Sequence, residues 1–324
     1  MLTLLFYCLI FLASLFAFYL SGELIVKSLI KVAKFLQWKE FVVSFVVMSV
    51  VASLPNLFVG IIAAFHGIPQ LSFGDVIGGN VVDLTLAVAL AALFSTRGIP
   101  AKSKTIHGTL WFTVFTAALP LLLIWDGTLS RIDGIILIVF YFTYISWVFS
   151  KKERFQKVCE EEKELSAIKN FKSSVAGLLK MVLSVAIFIV AAEGIVTSAQ
   201  YFANTFSIPL VLIGLFIVGL GNCAPEIFFA ISSARKENDW MILGDLMGAI
   251  VAPATLILGV VAIICPINIG GVSSFAIARL FTFIAIFFFF IFIKNDSRIS
   301  KKEAMILLFI YIAFIMTEVF TKNI

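Results

Sequence analysis

The chain has 324 residues, of which 61% are hydrophobic and 13% charged, with a mean hydropathy of +1.11. An ordinary soluble domain carries about 25% charged residues, so composition excludes one, and apolar runs long enough to cross a bilayer succeed one another from end to end. The formal charge of +5 does not point to nucleic acid: the basic residues cluster in short loops, as the positive-inside rule requires of a protein whose partner is the lipid bilayer.

In chain order, ten helices are predicted, over residues 3–34, 41–66, 74–96, 106–126, 132–150, 173–204, 209–234, 239–265, 273–293 and 303–320. The first apolar run lacks a positive leading region and is long, so it reads as a helix and not a signal peptide. Ile208-Pro209 and Gly74-Asp75 mark two helix starts, with Asp75 suited to a first turn; Asp245 is read the same way, as a cap. The odd-numbered connections hold the Lys and Arg residues, from Lys27, Lys31, Lys34 and Lys39 at the first to Lys294, Arg298, Lys301 and Lys302 at the ninth. The even ones hold almost none, Arg131 excepted. Odd loops are therefore expected in the cytoplasm, and both termini outside it.

This gives an integral, multi-pass, all-α membrane protein. The expected division is a first five-helix half at 1–150, a charged cytoplasmic linker at 151–172 and a second five-helix half at 173–324. The linker mixes seven basic residues with Glu160, Glu161, Glu162 and Glu164, the pattern of a solvated segment too short for its own core. Cys8, Cys159, Cys223 and Cys265 form no CxxC pair, so neither a disulfide framework nor a zinc site is expected.

The chain repeats itself. With residues 22–90 laid over 192–260, an offset of 170 without gaps, Glu23 falls on Glu193, Ser28 on Ser198, Pro55 on Pro225, Gly74-Asp75 on Gly244-Asp245 and Gly78 on Gly248. Apolar matches arise by chance; paired Glu, Pro and Gly-Asp at one offset do not. Five helices per half is an odd number, so the second half enters the membrane inverted. Inverted repeats build secondary transporters, whose site lies near the midplane between the halves.

The chemistry is sought where helices are interrupted at matching positions, here Ser49–Asn56 and Gly219–Glu226. A proline inside a helix frees a backbone carbonyl one turn earlier, and oxygen atoms suit a hard cation. A charge at the membrane centre costs roughly 2.5–3.5 kcal/mol, so polar residues in these spans are informative. The candidates are Ser49, Ser53, Asn56, Asn80 and Asp83 in the first half and Asn222, Cys223 and Glu226 in the second. Asp83 and Glu226 are expected deepest, as the two carboxylates of a cation site. For Ser49, Ser53 and Asn80, hydrogen bonding between helices is an equal alternative. Glu318, near the outer end of the last helix, is expected to reach water.

Two segments, Gly221-Asn222-Cys223-Ala224-Pro225-Glu226 and Val51-Ala52-Ser53-Leu54-Pro55-Asn56, resemble the Gly-Thr-Ser-x-Pro-Glu signature of the sodium/calcium exchanger family. Gly74–Asp83 and Gly244–Pro253 are similar to its Gly-Asn-x-x-Gly-Ser-Asn-x-x-Asn/Asp signature. The resemblance covers nearly the whole chain. It implies ten transmembrane helices in two inverted five-helix repeats, and Na+ or H+ entry coupled to Ca2+ extrusion by alternating access. It implies no enzyme activity and no cofactor beyond the transported ions. This sequence departs from the pattern at Asn56, where the family has glutamate, at Gly79 and Ala249 for serine, at Ala52 and Asn222 for threonine, at Cys223 for serine, and at Pro253. Those departures keep open a non-transporting scaffold or sensor and an antiporter for a different cation. Gly74-Asp75 and Gly244-Asp245 also raise an intramembrane aspartyl protease, but Ser72-Phe73 and Ile242-Leu243 precede them in place of the Gly-x that such a site resembles. No protein partner is legible.

Overall fold

The computed structural model describes residues 2–35, 40–101, 104–150, 171–235, 239–270, 275–295 and 298–322. The described residues form ten long helices. These are α1 Leu2–Phe35, α2 Glu40–Phe65, α3 from Gln70 to Phe94, α4 Lys104–Leu123, α5 Arg131–Ser150, α6 Phe171–Phe206, α7 from Leu210 to Arg235, α8 from Asp239 to Ile264, α9 Ala276–Asn295 and α10 Lys301–Lys322. Of these, α3 and α8 are interrupted once by a π turn and α7 twice, by a π turn at Gly214–Val218 and a break at Cys223. Eight of the ten contain apolar spans of 19 to 26 residues, and about 20 suffice to cross a bilayer. The other two, α2 with 26 residues and α5 with 20, are also long enough. Exposed Phe6, Phe16, Phe142, Val190 and Phe309 present the apolar surface that lipid requires. The linker at 151–172 falls almost wholly outside the described residues.

The inversion is visible in two small bridges. Strand β1 (Ile99–Pro100) pairs antiparallel with β4 (Arg298–Ile299), and β2 (Thr128–Leu129) with β3 (Ile267–Asn268). Adding 170 to β2 lands on β4, and adding it to β1 gives 269–270, next to β3. The repeat therefore exchanges one bridge for the other at opposite ends of the helices, and each bridge staples a loop of one half to a loop of the other. The same offset relates two capping boxes. Ser130 N donates to Asp133 Oδ2 at 2.8 Å, and Ser300 N to Glu303 Oε2 at 2.7 Å, starting α5 and α10 alike.

Helices in lipid gain no hydrophobic drive from meeting each other, so small residues that allow close approach decide their packing. On α5 and α8, a Cβ at Gly134 would lie 2.8 Å from Gly259 O, and one at Gly259 would lie 2.8 Å from Gly134 O. Repeat mates α1 and α6 pack on each other through stacked Tyr7 and Tyr201 at 4.0 Å and through Phe18 and Phe188 at 5.1 Å. Arg279 sits over the Trp125 ring at 5.0 Å, and Lys294 over Phe290 at 5.3 Å, cation–π pairs at the two ends of α9.

Three sequence expectations need correction. The third helix starts at Gln70, after Pro69, whose fixed φ of −62° suits a helix entry. Asp75 is thus no cap but lies inside the helix and fully buried. Asp245 likewise lies well inside α8, which starts at Asp239. Gly74, which reads as a helix start, lies inside a helix, where it allows a close helix crossing. Glu318 does not reach water: it is 2% exposed. It lies one turn beyond Phe314, which meets Phe216 of α7 and Phe281 of α9, so this face of α10 looks into protein.

Candidate cation site

Four helices converge on one cavity of about 10 Å3, room for a single water-sized occupant. It is lined by Ser53 and Asn56 of α2, Val76, Gly79, Asn80 and Asp83 of α3, Asn222, Cys223 and Glu226 of α7, and Ala249 and Pro253 of α8. Seven of the eight residues singled out in the sequence line it; the side chain of the eighth, Ser49, lies outside the described residues.

Local irregularity brings these side chains inward. Helix α3 passes through a π turn at Val82–Ala87, which holds Asp83, and α8 through another at Pro253–Ile257, its mate by the repeat. Such turns insert a residue, rotate the next stretch of helix and gather at functional sites. In each, a threonine hydroxyl (Thr85, Thr255) donates back to the carbonyl four residues earlier, which bends the helix. Helix α7 breaks at Cys223 and resumes at Ala224-Pro225-Glu226, so Glu226 stands in a first turn. Pro225 has no N–H to give to the Gly221 carbonyl, and Pro55 has none for Val51.

The cavity is acceptor-rich. Asp83 Oδ1, Asn222 Oδ1 and Glu226 Oε2 are buried oxygens without a hydrogen-bond donor, as is the Asn80 Nδ2 donor without an acceptor. Buried polar atoms are nearly always paired; three unpaired oxygens on residues lining one cavity, two of them on carboxylates, are of the kind that suits a hard cation. The Asp83 and Glu226 carboxylates are close enough to feel each other's charge, and the Cys223 thiol lies beside Asp83. No group of three or more His, Cys, Asp and Glu side chains stands ready to hold a metal among the described residues.

Sequence reasoning passed over Asp75 and Asp245. Asn222 Nδ2 donates to Asp75 Oδ1 at 3.0 Å and Oδ2 at 3.2 Å, linking α3 to α7 through a residue that lines the cavity. Asp245 stands near enough to act electrostatically on both Asp83 and Glu226. The signal was present, since these aspartates match by the repeat.

The two sides of the cavity differ. Towards the loops at 66–69 and 207–209, α3 and α7 cross with backbones in contact: a Cβ on Gly74 or Gly78 would overlap the carbonyls of Val211 and Leu215, and one on Gly219 would lie 3.0 Å from Asp75 O. Towards the opposite loops, the mates of these glycines behave otherwise. Among the described residues nothing lies within 4 Å of a Cβ on Gly244 or Gly248, and Gly244 is exposed. Among the described residues, helix backbones are in contact at the first end, and nothing packs on these glycines of α8 at the second.

Comparison with known proteins agrees with this architecture. The family described as "Sodium/calcium exchanger protein" matches residues 6–150 and again 176–320, once per half. The Escherichia coli K12 "Inner membrane protein YrbG" is 27% identical over 241 residues, 74% of this chain and 73% of that one. "Sodium/calcium exchanger MaX1" of Methanosarcina acetivorans is 24% identical over 330 residues, covering 91% of this chain and 93% of that one. Among solved structures, the sodium-calcium exchanger NCX_Mj soaked with 10 mM Na+ and zero Ca2+ has a TM-score of 0.61 at 23% identity, over 97% of this chain and 99% of that one, a likeness of fold. With a match across both halves, this membrane protein belongs to the sodium/calcium exchanger family, transporters rather than enzymes.

Proposed function

We propose that the protein is a secondary-active antiporter that exchanges Ca2+ for Na+ or H+ by alternating access at the cavity between its repeats. The observation that carries this reading is the meeting of unpartnered Asp83, Asn222 and Glu226 oxygens from both halves in a space for one ion. Asp83 and Glu226 supply the charge that a divalent ion demands, and Ser53, Asn56 and Asn222 supply neutral oxygens. Na+ suits the same oxygen set at lower charge, so the two ions compete for it in turn.

Alternation is supported by the difference between the two ends. Helices α3 and α7 seal one end, while among the described residues nothing packs within 4 Å of a Cβ on Gly244 or Gly248. Because the halves are related by inversion, the opposite state is reached when α8 closes on α2, the mates of α3 and α7, while α3 and α7 part. By the charge count, the sealed end faces outside, where both termini lie, and the other end faces the cytoplasm. Each net charge moved across the membrane couples to its potential at about 2.3 kcal/mol per 100 mV.

Proteoliposomes holding the purified protein test the reading. An outward Na+ or H+ gradient is expected to drive 45Ca2+ uptake, and dissipating the gradient to abolish it. A non-transporting scaffold would show no gradient-driven flux of any cation, and an antiporter for another cation would move that ion but not Ca2+.

A further inference from the structure

We infer that Asp75 is a positioning residue for cation binding: it holds the amide of Asn222 so that the Asn222 carbonyl oxygen faces the cavity as a neutral ligand. The inference rests on the antiport reading above. Asp75 contributes no atom to the cavity lining, whereas Asn222 does. Both are buried, Asp75 at 0% and Asn222 at 7% exposure. The Asn222 nitrogen donates to both Asp75 oxygens, at 3.0 and 3.2 Å. A carboxylate offers acceptors, so the nitrogen end of the amide belongs on Asp75 and the oxygen end turns away from it. That oxygen, Oδ1, is buried and has no donor.

The orientation needs holding. Asn222 is the last residue of its helical segment, next to the break at Cys223, where a short amide side chain has several rotamers and two flip states open to it. Asp75 is the rigid half of the pair. A Cβ on Gly214 would lie 2.8 Å from Asp75 N, and one on Gly219 3.0 Å from Asp75 O, so the α3 backbone at Asp75 is clamped against α7. A ligand held by a partner on a rigid element keeps its geometry when the ion leaves. The lock exists in one half only. At the repeat mate of Asn222 stands Ala52, which has no group for Asp245 to hold. Asn222 is thus set from across the interface between the halves, on the side where the helices are closed.

The test uses purified full-length wild type, Asp75→Ala, Asp75→Asn, Asn222→Ala and Asp75→Ala/Asn222→Ala, titrated with Ca2+ and with Na+ by calorimetry. Asp75→Ala is expected to weaken Ca2+ binding roughly 10- to 100-fold, the usual loss on removing a ligand's outer partner. Asp75→Asn, which keeps one acceptor but lets the pair flip, should fall between Asp75→Ala and wild type. The Asp75 charge also acts directly on Glu226, so the double variant is expected to lose far less relative to Asn222→Ala than Asp75→Ala loses relative to wild type, because Asp75 acts chiefly through that side chain. Should Asp75→Ala fail to fold, Asp75→Asn carries the same comparison, expected to lose affinity alone and much less on the Asn222→Ala background. Multiplicative losses, or full affinity in Asp75→Ala, would overturn the inference. A second readout is independent of ions. In protein labelled with 15N-asparagine, the side-chain amide signal that disappears in Asn222→Ala should exchange slowly in wild type and fast in Asp75→Ala. Wild type that binds neither ion overturns the antiport reading; an Asn222 amide indifferent to Asp75→Ala overturns this inference.

Discussion

Gly74 of α3 lies so close to the carbonyl oxygen of Val211 on α7 that any Cβ there would overlap it. Its repeat mate Gly244 meets nothing within 4 Å among the described residues. Backbone cannot move aside as a flexible side chain does, so Gly74→Ala must spread the two helices. It is expected to cost about 1–3 kcal/mol, as overpacking does, and to lower the thermal midpoint. Gly244→Ala is expected to leave that midpoint unchanged. It should still slow exchange, because in the opposite state α8 closes on α2 as α3 closes on α7 here. Equal loss of stability in both variants would show that the two ends are not packed differently.

Glu226→Gln is expected to abolish Ca2+ binding while the protein keeps its fold and elution profile. The carboxylate sits at the break in α7 with Oε2 buried and unpartnered, so it contributes little to folding and much to the ion. Gradient-driven 45Ca2+ flux at the wild-type rate in this variant would remove Glu226 from the site.

Asp83 is expected to matter more to Ca2+ than to Na+, because Coulomb attraction scales with the charge of the ion. Asp83→Asn should therefore raise the Kd for Ca2+ by a larger factor than that for Na+. Adding Asn56→Glu to Asp83→Asn returns the charge count to two, since Asn56 lines the same cavity. The double variant is expected to bind Ca2+ at least as well as Asp83→Asn alone. Unchanged binding of both ions in Asp83→Asn would make Asp83 a structural residue.

Topology is checked by labelling intact cells with an impermeant thiol reagent. Exposed Asn204, near the end of α6, replaced by cysteine should label from outside. Native Cys159, in the linker, should label only after the membrane is opened. Reversed labelling would invert the proposed orientation, and labelling of both from one side would contradict the proposed topology.

The sequence by itself determined the ten-helix architecture and its inversion. Apolar length marks a membrane helix almost without context, since only a self-satisfied backbone crosses lipid. The ends of the helices were legible within a few residues, except at Gln70, where Gly74-Asp75 resembles a start but serves a buried crossing. The offset of 170 was readable too, and it extends beyond residues 22–90 to the capping boxes at Ser130 and Ser300. Candidate ligands were legible because a polar side chain in lipid needs a reason to be there.

Tertiary structure alone decided which of those side chains meet, and how. A repeat in sequence says that Gly74 and Gly244 are equivalent; only packing sets Gly74 against the Val211 carbonyl and leaves Gly244 without a contact among the described residues. The bridges between distant loops use two residues per strand, too few to leave a pattern. Asp75 reads as a cap from its neighbours in the chain, yet its partner lies 147 residues away across the interface between the halves. Local sequence reports what a backbone can do within a turn or two, whereas a buried hydrogen bond across two helices depends on their separation, which the glycines of both helices set together.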